Sequence, residues 1–87
     1  MLSKRTSFSL KAIRTNLGLT QIEASELIGV SRYTLANYES FKTVPNINRI
    51  NKIASVYGVS VDEIRFLPNE KEKKLLAVKN KKKYDGS

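Results

Sequence analysis

The 87-residue chain contains no cysteine and no histidine. These absences exclude a disulfide framework and thiolate metal sites, and they remove the commonest general base and the commonest metal ligands. The eight acidic residues are scattered along the sequence, so no cluster is suited to holding a cation or to paired-carboxylate chemistry. We therefore expect a protein that is not an enzyme and that requires no metal or other cofactor.

Long hydrophobic runs are also missing. No apolar stretch approaches the roughly 20 residues that a membrane helix requires, and the basic start of the chain, residues 1–5, leads into no apolar signal core. We accordingly expect no membrane partner. A reducing cytoplasm suits this composition.

Negative charge is scarce relative to positive charge. Sixteen Lys and Arg residues oppose eight Asp and Glu residues, which gives a net charge of +8. Nine bases and five acids lie in residues 1–68, and seven bases and three acids lie in residues 69–87, so each part carries half of the excess. Such a basic chain favours polyanionic partners, with nucleic acid first and an anionic membrane second.

Strand signals are nearly absent, and apolar residues recur at helical spacing. We expect a compact, all-α domain of five short helices in residues 1–68, closed by Pro68. The expected N-caps of the five helices are Ser7 or Ser9, Thr20, Ser31, Asn46 or Asn48, and Ser60. Glu23 and Glu63 lie three residues after a cap, as in a capping box. Gly18, Gly29 and Gly58 are expected to end helices one, two and four.

The predicted core follows from the same spacing. Its members are apolar residues on the inward stripes of the helices: Leu10, Ile13, Leu17, Ala24, Ile28, Leu35, Ile50, Ile53 and Tyr57. The stripes also place Leu27, Tyr38, Ile47, Ala54, Val61 and Ile64 inward. The Lys-rich segment 69–87 brackets one apolar patch, residues 75–78, and is expected to be either a marginal helix or a solvated tail.

The informative stretch is residues 20–39, TQIEASELIGVSRYTLANYE, in which two short helices meet across a tight turn that begins at Gly29. Glycine suits that corner because it requires a positive φ and leaves no room for a side chain. In such a pair, one helix lies across the DNA backbone while the next enters the major groove by its N-terminal end.

This segment resembles the helix-turn-helix of the lambda-repressor, Cro and XRE-like family, and the resemblance extends over residues 8–67. Its ordered motifs are Arg14, residues 17–21 (LGLTQ), 29–31 (GVS), 38–39 (YE), Pro45, 53–54 (IA) and 58–63 (GVSVDE). The resemblance implies a sequence-specific, double-stranded-DNA-binding transcriptional regulator, with repression as the expected effect. It also implies binding as a homodimer to paired half-sites.

The resemblance assigns roles residue by residue. Gln21 corresponds to a contact at phosphate and Ser31 to a residue near phosphate or a base edge, while Arg32, Tyr33 and Asn37 correspond to base-contacting positions. An Arg can donate two bonds to guanine and an Asn can pair with adenine. Lys42, just past helix three, is expected to contact phosphate. Arg14 and Glu39 correspond to a family ion pair that ties helix one to the end of helix three.

Two positions depart from the family pattern. Ser25 stands where an Ala is usual, and its hydroxyl is expected to bond back to a helix carbonyl. Ser40-Phe41 replaces a common Asn-Gly. Because Phe does not easily adopt a left-handed conformation, we expect the following loop to run differently.

The alternative function is a protein-interaction module, such as an antitoxin or an adaptor. Residues 69–87 would then supply the surface for a protein partner. The base-capable side chains at Arg32, Tyr33 and Asn37 favour DNA instead. Lys4 and Arg5 are further candidates for backbone contact as a mobile arm. The Lys run in residues 79–83 is either a solubilising tail or an added source of nonspecific DNA attraction.

Overall fold

The computed structural model describes residues 7–85, with side chains up to residue 78. Its elements in chain order are β1 (Phe8–Ser9), α1 (Leu10–Asn16), α2 (Gln21–Ile28), α3 (Arg32–Glu39), α4 (Ile47–Tyr57), a 3₁₀ turn (Val61–Glu63), β2 (Ile64–Arg65) and α5 (Glu70–Asp85). The all-α prediction is confirmed, because the strands form only a two-residue parallel pair.

The helices begin where the capping residues predict. Ser9, rather than Ser7, accepts the N–H of Ala12 at 3.1 Å and starts α1. Thr20 and Glu23 form the predicted capping box, with bonds of 3.1 and 2.9 Å. The backbone bond from Thr20 lowers the pKa of the Glu23 carboxyl. Asn46, rather than Asn48, caps α4 by accepting the N–H of Arg49 at 2.8 Å.

The core lies where α1 to α4 converge with β2. Its buried apolar residues are Leu10, Ile13, Ala24, Ile28, Leu35, Ile53, Ala54, Tyr57 and Ile64. Arg14 shares the buried face of α1 with Leu10 and Ile13. These buried residues confirm most of the predicted core. Their burial removes the apolar stripe of each helix from water, which stabilises the fold.

The periodicity overextends the core at several positions. Leu17 follows the last residue of α1 and is 47% exposed, lining a surface cleft with Phe8 and Val59. Ile50 is only partly buried. The inward placement of three further residues is wrong, since each is exposed: Leu27, Ile47 and Val61. A helix of two to three turns is covered on one narrow side, so residues at the edge of its apolar stripe face solvent.

The predicted fifth helix from Ser60 is wrong beyond its first turn. Glu63 accepts the N–H of Ser60 at 2.7 Å, but the chain forms only the 3₁₀ turn. Ile64 is already extended, with φ −104° and ψ 132°, and pairs with Phe8 in β1. The parallel pairing with the start of the domain replaces the helical continuation.

Residues 70–85 form the fifth α-helix, so the Lys-rich segment is helical over that range. Asn69 and Glu72 bond reciprocally at its start: Oδ1 of Asn69 accepts the Glu72 N–H at 2.8 Å, and Oε1 of Glu72 accepts the Asn69 N–H at 2.9 Å. The domain boundary at Pro68 stays a prediction. The side chains of residues 79–83, and the whole of Lys4 and Arg5, lie outside the described residues.

Tyr57 combines burial with an unsatisfied hydroxyl. The residue is 3% exposed, and among the described residues its hydroxyl has no hydrogen-bond partner. Burial, reinforced by the nearby Glu39 carboxylate, raises the pKa of Tyr57 to about 12. The folded state therefore favours the neutral phenol of Tyr57 over the phenolate.

We expect Tyr57→Phe to raise the free energy of unfolding by about 1 kcal/mol, because an unsatisfied polar atom leaves the core. The group's pKa is raised in the folded state, so wild-type stability should also fall as pH rises from 10 towards 12. That alkaline loss should shrink in the variant. Urea unfolding from pH 7 to 12 measures both effects, with Tyr38→Phe at a half-buried tyrosine as control. A destabilised Tyr57→Phe would mean that the hydroxyl is bonded.

Candidate nucleic-acid interface

The corner between α2 and α3 has the positive φ that the sequence predicts, but the predicted lack of room is wrong, since a Cβ at Gly29 would have nothing within 4 Å. Gly29 adopts φ +89° and ψ 34°, the left-handed conformation in which a side chain would be strained. The carbonyl of Ser25 accepts the N–H groups of Gly29 at 2.8 Å and Val30 at 3.0 Å, which closes the end of α2. The hydroxyl of Ser25 bonds back to the carbonyl of Ile22 at 2.8 Å, as predicted. The two helices are thus fixed relative to each other.

A buried ion pair holds α3 against α1, which confirms the predicted pairing. Nε of Arg14 donates to Oε2 of Glu39 at 2.6 Å, and Nη2 donates to Oε1 at 3.1 Å. The third arm, Nη1, donates to the carbonyl of Leu19 at 2.8 Å. The bond to Glu39 raises the pKa of the Arg14 guanidinium. A bidentate, buried pair of this kind fixes the orientation of both elements.

Gln21 joins the same network from the first position of α2. Its Nε2 donates to Oε1 of Glu39 at 3.0 Å, and the side chain is half-buried. The contact orients the amide beside the start of α2, where backbone N–H groups have no partner within the helix. Such a helix start suits a phosphate group. The sequence predicts the phosphate role of Gln21 but not its bond to Glu39.

The predicted base-contacting residues lie on one side of α3. At about 100° per residue, Arg32, Tyr33, Ala36 and Asn37 span a sector of roughly 140°. Arg32 and Tyr33 are exposed, Tyr33 to 76%, and both line one open concavity with Ala36. Asn37 is half-buried one turn further on. On the same scale the buried Leu35 and Glu39 border the sector on the Arg32 side, about 60° and 20° outside it, and Glu39 lies two turns beyond Arg32 at the other end of the helix.

Ser31 is the N-cap of α3, which accounts for its hydroxyl in the structure. Oγ accepts the N–H of Thr34 at 3.0 Å and donates to the Thr34 hydroxyl at 3.0 Å. The residue itself is exposed. It therefore lies beside Arg32 at the tip of the helix, with its hydroxyl already engaged in capping.

The loop after α3 departs from the expectation. Phe41 adopts φ +64°, the left-handed conformation that the sequence argues against. Two backbone bonds hold it there. The Phe41 N–H donates to the Tyr38 carbonyl at 3.2 Å, and the Lys42 N–H donates to the Asn37 carbonyl at 2.9 Å. These are the two bonds of a Schellman motif, which satisfy carbonyls at the helix end. They offset a conformational cost of about 1–2 kcal/mol. Lys42 follows directly and is exposed.

Arg49 stabilises the turn between α2 and α3, a role that the sequence does not predict. It lies on α4, and its Nη1 donates to the carbonyl of Gly29 at 3.4 Å, across 20 residues of sequence. The guanidinium therefore braces the turn between α2 and α3. Nothing in the local pattern distinguishes Arg49 from an ordinary exposed cation, because its partner is a backbone carbonyl brought close only by folding.

Two capped helices joined at a left-handed glycine, with an exposed polar side on the second, define a helix-turn-helix domain. A family model described as helix-turn-helix matches residues 10–64. That match covers more than half of the chain. The protein therefore belongs to the helix-turn-helix family, of the Cro/C1 and XRE-like type.

Named relatives share the same region. The HTH-type transcriptional regulator PuuR of Escherichia coli is 34% identical over 61 residues, 70% of this chain and 33% of that protein. The HTH-type transcriptional activator BcrR of Enterococcus faecalis is 34% identical over 55 residues, 63% of this chain and 27% of that protein. The HTH-type transcriptional regulator ImmR of Bacillus subtilis is 36% identical over 53 residues, 61% of this chain and 42% of that protein.

The likeness thus covers well under half of these relatives, and the chain spans about a third of the length of PuuR. No solved structure matches the chain. In residues 7–85, no helix combines the length and the apolar character that a membrane crossing demands.

Proposed function

We propose that the protein is a sequence-specific regulator of transcription that binds double-stranded DNA with α3 in the major groove. In this proposal, Arg32, Tyr33 and Asn37 contact base edges, while Gln21, Ser31 and Lys42 contact phosphate. The observation that carries it is the contrast between the two ends of α3. The first turn is exposed and carries Arg32 and Tyr33, and the last turn is fixed to α1 through the buried Glu39–Arg14 pair.

The chemistry of the exposed side supports contact with bases. The Arg32 guanidinium has the paired donors that match guanine O6 and N7, and an Asn amide matches adenine N6 and N7. Tyr33 offers a large exposed ring for a thymine methyl group and a hydroxyl for a base or a phosphate. These contacts would differ from one base sequence to another, which is the requirement for specificity.

The residues proposed to contact the DNA backbone lie at helix ends. Gln21 lies at the start of α2, Ser31 at the start of α3, and Lys42 directly after the Schellman end of α3. Helix N-termini present unpaired N–H groups to phosphate, and an exposed Lys adds charge. These contacts are common to every duplex, so they position the domain without selecting a sequence.

Repression by a homodimer completes the proposal. A domain that occupies an operator can block access to it without any further activity, so repression is the simplest consequence of binding. Two copies related by a two-fold axis would contact two half-sites about one helical turn apart. BcrR is named an activator, so a reporter gene placed behind the selected operator is the test of sign. Rising expression on production of the protein would overturn repression.

The charge predicts a steep salt dependence of DNA binding. With several Lys and Arg residues at phosphate, log K should fall against log salt with a slope of about −0.9 per neutralised phosphate. We expect a slope of roughly −4 to −6 for one domain, from Lys42 and further Lys and Arg contacts. Titration of a labelled duplex between 50 and 300 mM salt measures it. A flat response, or no binding to any duplex, would contradict the proposal and favour a protein-interaction module.

A further inference from the structure

Helix α5 is attached to the domain at its first turn. Nη1 of Arg65, in β2, forms an ion pair with Oε1 of Glu72, and both side chains are about three-quarters buried. Burial acts to raise the pKa of the Glu72 carboxyl, but the bonds from Arg65 and from the Asn69 N–H outweigh it, and the net pKa is lowered. Glu72 therefore serves both as a cap of α5 and as its link to the domain.

The next turn of α5 lies beside the end of α3. Leu75 and Leu76 line one groove together with Ser40, Phe41 and Lys11. Leu76 is half-buried there, whereas Leu75 remains 57% exposed. Phe41, the residue with the left-handed backbone, is half-buried in the same groove. Its ring thus adds an apolar wall to this groove that a glycine at this position could not provide.

Three segments that line or adjoin this groove carry cationic side chains. Lys11 comes from α1, Lys42 follows Phe41, and α5 contributes exposed lysines at the described positions Lys71, Lys73 and Lys74. Sequence adds Lys79, Lys81, Lys82 and Lys83 to the same helix. Among the residues of α5 whose side chains are described, the acids are Glu70 and Glu72. Both lie in its first turn, next to the attachment.

We propose that α5, tied to β2 by the Glu72–Arg65 pair and lying beside the end of α3 at Leu76, is a second phosphate-contacting element for the duplex that α3 contacts. This inference rests on the proposed function. A helix fixed beside Lys42 presents its lysines as part of the same rigid surface, so less conformational freedom is lost on binding than for a free chain. The contact is to backbone, so it adds affinity on every sequence and leaves base preference unchanged.

The substitution Glu72→Gln separates this role from that of a loose basic tail. It changes the net charge from +8 to +9, so a tail acting through charge alone would bind DNA more tightly. It also removes the Arg65 ion pair, so a helix that acts through its position would bind more weakly. We expect affinity to fall on the order of tenfold at moderate salt, and the salt slope to lose about two units.

Glu70→Gln is the matched control, because it makes the same change in charge two residues away. The Glu70 side chain is 87% exposed, and its ion pair among the described side chains is a 3.9 Å contact with Lys73, so this variant should bind as wild type or more tightly. Leu76→Ala, which changes no charge, should weaken binding in the same direction as Glu72→Gln. Melting curves should show the α1–α4 core intact in all three variants.

The outcomes are distinct. Weaker binding of Glu72→Gln and Leu76→Ala, equal on the preferred and on an unrelated duplex, supports the inference. Binding of Glu72→Gln that matches or exceeds that of Glu70→Gln would overturn it while leaving the proposed function intact. If the wild-type chain bound no duplex, the proposed function itself would fail, and the inference with it.

Discussion

Glu39→Ala is expected to lower the free energy of unfolding by about 3–5 kcal/mol, because it leaves the buried Arg14 guanidinium without its counter-charge. Glu39 accepts two bonds from Arg14 and one from Gln21, so all three contacts are lost together. A loss of this size is a large part of the roughly 5–15 kcal/mol that stabilises a small domain. Urea unfolding followed by circular dichroism measures it.

A double variant tests whether the unpaired charge is the cause. Replacing both partners, Arg14→Met with Glu39→Met, removes the charges together and should recover much of the stability that Glu39→Ala loses. On DNA, the single variant should lose affinity in parallel on every sequence, since the fold rather than the contact surface is affected. A loss below about 1 kcal/mol for Glu39→Ala would show that the pair is not needed to hold α3 against α1.

Arg32→Ala and Asn37→Ala should each weaken binding to the preferred site by about 1–3 kcal/mol and relax the preference at one base position. A bond to a base edge exists on one sequence only, so its loss removes discrimination as well as affinity. Arg32 is exposed and lies outside the core, so the melting temperature of the Arg32→Ala variant should stay near that of wild type. Competition titrations against site variants measure both effects.

Gln21→Ala provides the contrast. It removes a phosphate contact that every duplex shares, so affinity should fall while base preference is kept. Its bond to Glu39 is lost as well, and a melting curve separates that structural effect from the loss of the phosphate contact. Equal loss of preference in the Gln21 and Arg32 variants would contradict the division between base and phosphate contacts.

The local signals in the sequence predicted most of the fold. Thr20 with Glu23, Ser31, Asn46 and Gly29 act through neighbours at most four residues away, so their caps and turn could be predicted without tertiary information. The same principle failed for the helix after Ser60. There the outcome depends on pairing between Ile64 and Phe8, which are 56 residues apart.

The sequence predicts some features of the candidate site but not others. The family resemblance identified the Arg14–Glu39 pair, and the structure confirms it with two bonds. The bond of Arg49 to Gly29 and the groove that α5 shares with Phe41 depend on distant segments, and no local pattern marks them. The sequence argues against a left-handed Phe41 from its intrinsic cost alone, and the two Schellman bonds that offset this cost form only at the folded helix end.

The most direct test of the central claim is a binding selection from random duplex DNA, carried out in parallel with the wild-type chain and with Arg32→Ala. We predict that the wild type enriches a defined motif, arranged as two half-sites about one helical turn apart. We further predict that Arg32→Ala enriches the same motif with one base position relaxed. A wild-type profile without enrichment, or an Arg32→Ala profile identical to that of the wild type, would contradict base contact by α3.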